Sequence, residues 1–247
     1  MNKYGLIGYP LGQSFSKKFF SNKFKKENIN AEYINFEIDN INKFPNIIKD
    51  NKNIIGLNVT IPYKEQVIPF IDELDTEAEK IGAINTIRVI KNNNKIYTKG
   101  YNTDVYGFEE SLKPFLKIHH TKALILGTGG ASKAVKYVLN KLDIEFKIVS
   151  RTKTDSILSY NDITNELLSE YTLIVNSTPL GMFPKINEYP TLPYNNITDK
   201  HLFFDLIYNP TETIFLKKAK DKNATIINGE EMLIKQAQKA WKIWNNL

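Results

Sequence analysis

A hydroxyl and an ammonium lie four residues apart in the run Asn58-Val59-Thr60-Ile61-Pro62-Tyr63-Lys64. The run follows an apolar stretch that begins at Ile54, which places Thr60 and Lys64 where a buried strand is expected to end. A lysine that is held at such a strand end and partly desolvated is suited to proton transfer. The structural alternative is a strand followed directly by a helix that begins at Pro62.

Asp104 is the second candidate for proton chemistry, because a carboxylate can hydrogen-bond to the Lys64 ammonium and orient it. It follows the run Gly100-Tyr101-Asn102-Thr103 and precedes a stretch with a helical pattern. Such a pair suits a lysine that protonates the alkoxide formed when hydride adds to a carbonyl, and that takes the proton back in reverse. A helix-capping role for Asp104 is the structural alternative.

A glycine-rich loop follows a predicted strand at residues 122–126 and opens a predicted helix. Its residues are Gly127, Thr128, Gly129, Gly130 and Ala131, and Ser132 stands where a third glycine is usual. The first glycine permits a tight turn, and Gly129 lets the backbone approach a pyrophosphate, whose charge is held by free N–H groups at the helix start. A tight strand-to-helix turn without a ligand is the alternative.

The run Ser150-Arg151-Thr152-Lys153, which follows the next predicted strand, indicates which dinucleotide is bound. An acidic residue about 20 residues beyond the glycine loop would bind the ribose 2′-hydroxyl of NAD. Here Arg151 can instead hold the 2′-phosphate of NADP through two parallel hydrogen bonds, with hydroxyl donors on both sides and Lys153 nearby. The run therefore predicts NADP, and two solvated surface cations are the alternative.

Strand-like and helix-like stretches alternate along the chain, which predicts two α/β domains, the first with a mainly parallel sheet. Strands are predicted at residues 4–8, 31–36, 54–59, 85–90, 95–98, 122–126, 145–149, 172–176, 202–206 and 224–227, the fourth and fifth forming a hairpin around 92–94. Helices are predicted at 15–27, 41–49, 76–82, 105–116, 130–142 and 230–246. We expect a substrate-binding and catalytic domain over 1–104 and a Rossmann-type NADP-binding domain over 105–229.

The composition is that of a globular protein that acts on small molecules. Hydrophobic residues make up 42% of the 247 residues, and no apolar stretch approaches the roughly 20 residues of a membrane span. The N-terminus lacks the pattern of a signal peptide. The lysines behind the net charge of +6 are scattered, which argues against nucleic-acid binding, and the absence of cysteine excludes disulfides and thiolate metal sites. We expect a cytoplasmic monomer or homodimer that binds no metal, membrane or nucleic acid.

Seven runs of polar and small residues lie in order along the chain: Gly8-Tyr9-Pro10-Leu11-Gly12-Gln13-Ser14-Phe15-Ser16, Asn58-Val59-Thr60-Ile61-Pro62-Tyr63-Lys64, Gly82-Ala83-Ile84-Asn85-Thr86, Gly100-Tyr101-Asn102-Thr103-Asp104, Asn176-Ser177-Thr178-Pro179-Leu180-Gly181-Met182, Asp205-Leu206-Ile207-Tyr208 and Gly229-Glu230-Glu231-Met232-Leu233-Ile234-Lys235-Gln236-Ala237. Together with the glycine loop they resemble the shikimate dehydrogenase family over nearly the whole chain. The chain is short for that family, and we expect the missing residues in loops of the cofactor half.

The resemblance implies NADPH-linked reduction of 3-dehydroshikimate to shikimate, a step toward the aromatic amino acids. It implies that Lys64 and Asp104 are the catalytic pair and that both contact the substrate. It also implies that the C-terminal helix 230–247 packs back on the first domain, because the family places the residue that matches Gln236 on the substrate. The other substrate contacts that it implies are Ser14 and Ser16 for the carboxylate, with Thr60, Asn85, Tyr208 and Gln236 for the ring hydroxyls or the carboxylate. The positions that it implies near the nicotinamide half of NADP are Thr178, Ile207 and Gly229.

Two alternatives accompany this resemblance. A quinate/shikimate dehydrogenase with relaxed cofactor use would carry an acid near the adenosine ribose and a bulkier residue at position 16. This chain has Arg151 at the first position and Ser16 at the second. A noncatalytic protein that binds the same ligands would be expected to lose Lys64 or Asp104, and both are present. The residues therefore favour the NADP-dependent dehydrogenase.

Overall fold

The structure, a computed structural model, describes residues 1–12, 14–92 and 95–247. The contacts between Cα atoms divide the chain into two compact units. Unit 1 comprises Met1–Tyr106 and Gln236–Leu247, and unit 2 comprises Gly107–Lys235. The turn predicted around residues 92–94 includes Asn93 and Asn94, which lie outside the described residues. Within the described ranges, every helix is too short or too polar to cross a membrane.

Unit 1 is built on a mixed sheet whose described strands are β1 (Asn2–Gly8), β2 (Ala31–Glu37), β3 (Ile54–Val59), β4 (Glu73–Leu74), β5 (Thr86–Asn92) and β6 (Lys95–Tyr101). Its helices are α1 (Phe15–Lys26), α2 (Phe44–Asp50), α3 (Thr76–Ile81) and the start of α4 (Thr103–Leu112). The strand order is β2-β1-β3-β5-β6-β4. The pairs β1–β2, β1–β3 and β4–β6 are parallel, while β5 is antiparallel to β3 and β6. The short connection from β5 to β6 requires these two strands to pair antiparallel, because a parallel pair needs a long crossover.

Unit 2 is built on a parallel sheet whose described strands are β7 (Lys122–Leu126), β8 (Glu145–Ser150), β9 (Ile157–Ser159), β10 (Leu173–Asn176), β11 (Leu202–Asp205) and β12 (Thr225–Ile227). Its helices include α5 (Gly130–Lys141), α6 (Asn165–Glu170) and α7 (Ile214–Lys220). The order β12-β11-β10-β7-β8-β9 is that of a doubly wound dinucleotide-binding sheet, with the order reversing between β7 and β10. The prediction of two α/β domains, one of Rossmann type, is confirmed.

Four of these elements are missing from the sequence-based prediction, namely β4, β9, α6 and α7. Each spans seven residues or fewer. An element of that length shows too little of a hydrophobic period to be told from a loop. Tertiary packing explains why the two helices form, since Leu168 of α6 and Phe215 of α7 are fully buried in the core of unit 2.

The C-terminal helix α8 (Glu230–Asn245) packs on the sheet of unit 1 through its last turns, as predicted. Trp244 is 2% exposed, and its indole N–H donates to the carbonyl of Ile87 at 3.0 Å. Its ring lies 5.1 Å from the rings of both Tyr4 and Phe20. Gly56 of β3 makes room for it, because a Cβ there would lie 2.1 Å from the indole. The helix is therefore anchored by aromatic burial on unit 1.

Two buried histidines hold the neutral form of the imidazole in unit 2. In each ring Nδ1 accepts from the backbone N–H three residues earlier, at 2.9 Å in His120 and 3.1 Å in His201. Each Nε2 donates to a carbonyl, that of Lys200 at 3.1 Å or that of Leu168 at 3.0 Å. Burial lowers the pKa of both imidazoles. Protonation would therefore break a hydrogen bond and bury a charge.

Unit 2 is expected to lose stability as the pH falls through about 6.5, the usual pKa of an unfolded histidine. Below that pH the unfolded chain binds protons that the folded His120 and His201 exclude, so the free energy of unfolding falls by up to about 1.4 kcal/mol per pH unit for each histidine. Urea unfolding between pH 7.5 and 5.5 measures this slope. The variant H201Q should show a shallower slope than the wild-type protein, because one of the two buried histidines is removed. An unchanged slope in H201Q would contradict this account.

Candidate active site

Lys64 is positioned by a turn that is anchored at both ends. At its start, the N–H of Thr60 donates to the carbonyl of Ile7 at 2.9 Å, which extends β3 into the turn. At its end, the carbonyl of Lys64 accepts from the N–H of Ile84 at 2.8 Å. Between them, Tyr63 is buried, and the helix that the sequence allowed from Pro62 is replaced by turns as far as residue 67. The backbone therefore holds Lys64 in a defined place.

The structure brings the side chains of Lys64 and Asp104 into direct contact. The ammonium Nζ of Lys64 lies 2.6 Å from Oδ2 of Asp104. The side chain of Lys64 is 18% exposed and that of Asp104 is 7% exposed. The carboxylate is therefore shielded from water, while the ammonium keeps access to a ligand on its open side. Such an arrangement can orient a lysine for proton transfer.

Asn85 connects this pair to two other elements. Its Oδ1 accepts from the N–H of Thr103 at 2.7 Å, which caps the start of α4. Its Nδ2 donates to Oδ1 of Asp104 at 2.9 Å and to Oε1 of Gln236 at 2.9 Å. Four of the predicted substrate residues, Lys64, Asn85, Asp104 and Gln236, are thus joined in one hydrogen-bonded chain within unit 1.

Three buried residues that sequence reasoning missed form a chain of hydrogen bonds that leads to Asn85. The hydroxyl of Tyr33 donates to Oδ1 of Asn58 at 2.8 Å, and Nδ2 of Asn58 donates to Oγ1 of Thr86 at 3.2 Å. The hydroxyl of Thr86 donates to Oδ1 of Asn85 at 3.2 Å. The sequence did contain a signal for this network. Asn58 lies inside an apolar strand, and a buried amide must find hydrogen-bond partners. Burial raises the pKa of Tyr33, and a hydrogen bond with Ser16 opposes that rise.

The remaining predicted substrate residues lie at three places. Ser14 caps α1, where its Oγ accepts from the N–H of Lys17 at 3.1 Å, so its own hydroxyl proton is left to donate. Ser16 lies in the first turn of α1, and Thr60 begins the turn that carries Lys64. Tyr208 belongs to unit 2, where it follows β11 and where burial raises its pKa.

The glycine loop has the backbone that a bound pyrophosphate requires. Gly127 has φ +107°, which L residues with a side chain rarely adopt, and a Cβ there would lie 2.9 Å from Oγ of Ser177. Gly129 caps α5 without a side-chain hydrogen bond, so the N–H groups at the helix start are available to an anion. A Cβ at Gly129 or Gly130 would meet no atom within 4 Å, which leaves the space for a ligand.

Ser132 explains how the loop manages without a third glycine. Its side chain is 1% exposed, and its hydroxyl donates to the carbonyl of Gly129 at 2.6 Å. The hydroxyl is therefore satisfied inside the first turn of α5. Close packing of helix on strand is kept, as Ala134 and Val135 are fully buried.

A cavity of about 560 Å³ in unit 2 joins the glycine loop to the region after β8. Its lining contains most of the residues predicted to bind NADP, namely Gly127, Thr128, Gly129, Ser150, Arg151, Thr152 and Thr178. Ser150 shapes the Arg151 turn, because its Oγ accepts from the N–H of Thr152 at 3.1 Å and donates to the carbonyl of Thr152 at 2.7 Å. Backbone donors, hydroxyls and one guanidinium are a donor set that fits a phosphorylated dinucleotide.

Lys153 lies beside this region in a different arrangement. Its ammonium is 2.7 Å from Oδ1 of Asp162, and both side chains are at least partly exposed. Hydrogen bonds from Lys153 and from the hydroxyl and N–H of Ser159 together lower the pKa of Asp162 to about 2. Lys153 therefore pairs with a nearby carboxylate. Among the described residues, two cations line the cavity, Arg151 and Lys185, and Lys185 is paired with Glu188 at 3.4 Å, which makes Arg151 the candidate for the 2′-phosphate.

Comparison with known proteins agrees with this geometry. A family model for the shikimate dehydrogenase substrate binding domain matches residues 6–87. Shikimate dehydrogenase (NADP(+)) of Carboxydothermus hydrogenoformans is 40% identical over 261 residues, which span 98% of this chain and 91% of that relative. A crystal structure of a shikimate dehydrogenase in complex with NADP+ is 33% identical, with a TM-score of 0.86 over 100% of this chain and 90% of the other.

A second crystal structure, shikimate 5-dehydrogenase of Thermus thermophilus in complex with NADP(H) and shikimate, is 28% identical. Its TM-score is 0.85, and the match covers 100% of this chain and 94% of the other. Both units are therefore matched, together with the order of their elements. Identity and fold agree over nearly the full length, and the chain belongs to the shikimate dehydrogenase family.

Proposed function

We propose that the protein catalyses the NADP-linked interconversion of 3-dehydroshikimate and shikimate. The observation that carries this proposal is the Lys64–Asp104 pair at 2.6 Å, joined through Asn85 to Gln236. The dehydrogenases that match the chain are named as NADP(+)-dependent, and one of them was crystallised with NADP(H) and shikimate. Unit 1 takes the substrate and unit 2 takes the cofactor in this proposal.

Lys64 moves the proton of the reaction. NADP, when bound, supplies or accepts the hydride. During reduction the Lys64 ammonium gives a proton to the oxygen of the carbonyl, which becomes a hydroxyl, and the neutral amine then regains a proton from water. During oxidation the amine takes that proton from the hydroxyl. Asp104 holds the ammonium by a charge-assisted hydrogen bond and is itself held by Asn85.

The other polar groups of unit 1 position the substrate. The hydroxyls of Ser14 and Ser16 bind the substrate carboxylate, and Ser14 serves both as helix cap and as donor. Asn85, Gln236 and Thr60 contact the ring hydroxyls or the carboxylate. Asn85 is 2% exposed, so a ligand that reaches it must leave water behind, which strengthens each hydrogen bond. Tyr208 of unit 2 is a further substrate contact in this proposal.

The cofactor is held by three parts of unit 2. The N–H groups of Gly129, Gly130 and Ala131 at the start of α5 bind the pyrophosphate, and Gly127 with Thr128 shapes the loop. Ser150, Arg151 and Thr152 bind the 2′-phosphate, with Lys153 keeping Asp162 neutralised. Thr178, Ile207 and Gly229 lie toward the nicotinamide half.

A grid of two cofactors and two substrates tests this proposal. The purified protein is expected to oxidise shikimate with NADP far faster than with NAD, because Arg151 favours the 2′-phosphate. It is expected to use quinate poorly, because the chain has Ser16 where a quinate-using relative would carry a bulkier residue. Equal rates with both cofactors would refute the role of Arg151. Efficient quinate oxidation would instead support the quinate/shikimate dehydrogenase alternative. Binding of both ligands without turnover would support a noncatalytic protein.

We also propose that the protein works in the cytoplasm. A cysteine-free chain suits a reducing compartment but does not require one. Cell fractionation tests the location. Monomer and homodimer remain the two proposed states, and light scattering at two protein concentrations separates them.

A further inference from the structure

We propose that Asp205 is a positioning residue for the nicotinamide half of the cofactor, an inference that rests on the proposed function. Asp205 is the last residue of β11, and its side chain has 0% exposure. Burying a carboxylate is costly unless it accepts several hydrogen bonds. Its partners identify what it positions.

The carboxylate of Asp205 accepts three hydrogen bonds. Its Oδ1 accepts from Nδ2 of Asn176 at 3.0 Å and from the N–H of Ile207 at 3.0 Å. Its Oδ2 accepts from Oγ1 of Thr213 at 2.6 Å. Burial raises the pKa of Asp205 to about 6, and these three bonds oppose the rise. All three partners are donors, so the set suits the ionised form, which can only accept.

Asn176 connects Asp205 to the loop after β10 by hydrogen bonds. While its Nδ2 is held by Asp205, its Oδ1 accepts from the N–H of Thr178 at 3.1 Å and from Oγ1 of Thr178 at 2.7 Å. Asn176 is 0% exposed, so its amide has no freedom to turn away. Thr178 lines the cofactor cavity. Asp205 therefore sets the place of a cavity residue through one side chain.

Ile207 connects Asp205 to the loop after β12 by hydrogen bonds. Its N–H is held by Asp205, and its carbonyl accepts from the N–H of Gly229 at 2.9 Å. Gly229 lies so close to Leu206, the residue before Ile207, that a Cβ on Gly229 would be 2.1 Å from the carbonyl oxygen of Leu206. The three positions proposed for the nicotinamide half, Thr178, Ile207 and Gly229, thus all depend on one carboxylate.

The topology of unit 2 limits this effect to one half of the cofactor. A doubly wound sheet consists of two mononucleotide-binding halves, and a dinucleotide lies across the carboxyl ends of both. Arg151 follows β8 in the half formed by β7 to β9, which takes the adenosine end. Asn176 and Asp205 end β10 and β11 in the other half. Asp205 should therefore leave the adenosine end undisturbed.

Two ligands titrated into the same protein separate positioning from general stability. One is NADP+, and the other is 2′,5′-ADP, which carries the adenosine end alone. For D205A we expect the Kd for NADP+ to rise about 10-fold, since hydrogen bonds to a charged group are lost, while the Kd for 2′,5′-ADP stays unchanged. D205N should restore most of the NADP+ affinity, because an amide oxygen can take the place of Oδ1. Calorimetry measures both constants without turnover.

The control is T213V, which removes the bond to Oδ2 and the cap of α7 but leaves Oδ1 and its two partners in place. It should lower the unfolding midpoint and keep the ratio of the two Kd values. If D205A proves too unstable to purify, N176A asks the same question and should weaken NADP+ alone. Equal weakening of both ligands in D205A, a changed ratio in T213V, or no change for either ligand would overturn the proposal. Failure of the wild-type protein to oxidise shikimate would count against the proposed function only, as the ratio is read from binding.

Discussion

Replacing Lys64 with alanine is expected to lower kcat for shikimate oxidation by roughly 100-fold or more while shikimate binding changes little. The reason is that the ammonium at 2.6 Å from Asp104 is the group proposed to carry the proton, whereas Asn85 and Gln236, two proposed substrate contacts, are unchanged in this variant. Steady-state kinetics and a direct shikimate titration measure the two effects separately.

The variant K64R separates proton transfer from charge. A guanidinium can pair with Asp104, but it stays protonated at neutral pH and so does not release a proton. We expect K64R to lose nearly as much turnover as K64A. High kcat in K64R would mean that Lys64 acts through its charge. Loss of affinity alone in K64A would make Lys64 a substrate anchor. A thermal unfolding curve for each variant checks that the buried Asp104 has not disrupted unit 1.

Replacing Arg151 with aspartate is expected to raise the KM for NADP by about 10- to 100-fold, which corresponds to the loss of charge-assisted hydrogen bonds to a phosphate. The KM for NAD should stay the same or fall, because a carboxylate there can accept from the free 2′-hydroxyl. Arg151 lines the cavity beside Ser150 and Thr152, so the change is local. Initial rates with each cofactor at saturating shikimate give the two constants.

Lys153 provides the matched control for this experiment, since it is a cation two residues away. Its ammonium is paired with Asp162 at 2.7 Å, so K153A should change the KM for NADP only a few-fold. An equal rise in K153A and R151D would mean that the positive charge of the whole loop binds the phosphate. A rise for both cofactors in R151D would place Arg151 against a part of the ligand that NAD and NADP share.

Sequence patterns predicted those elements of the fold that depend on residues near one another in the chain. The run from residue 122 to Ser132 shows a strand, a glycine turn and a helix start in consecutive residues, and unit 2 has them there. The helix α8 was predicted from its apolar stripe, and Trp244 of that stripe is buried on unit 1. Short elements such as α7 escaped prediction, because their formation depends on burial against distant strands.

The hydrogen-bonded partners within the candidate site were much harder to predict. Lys153 illustrates this, because its position beside Arg151 indicated a phosphate ligand and its actual partner is Asp162, nine residues farther along the chain. Asn58 and Asp205 carried no separate signal of their partners, since a buried amide or carboxylate in a strand shows only that partners must exist. Their identity depends on strand order.

The sequence by itself determined the two α/β units, the glycine loop before α5, the NADP preference expected from Arg151, and Lys64 with Asp104 as candidates. Each of these follows from residues that are neighbours in the chain or from a resemblance carried by short runs. Only the tertiary structure decided that Lys64 and Asp104 meet, that Asn85 joins them to Gln236, and that Asp205 connects the loops after β10 and β12. The physical reason is that a hydrogen bond requires two groups within about 3 Å, and for groups far apart in the chain that distance is set by how the strands are ordered and packed.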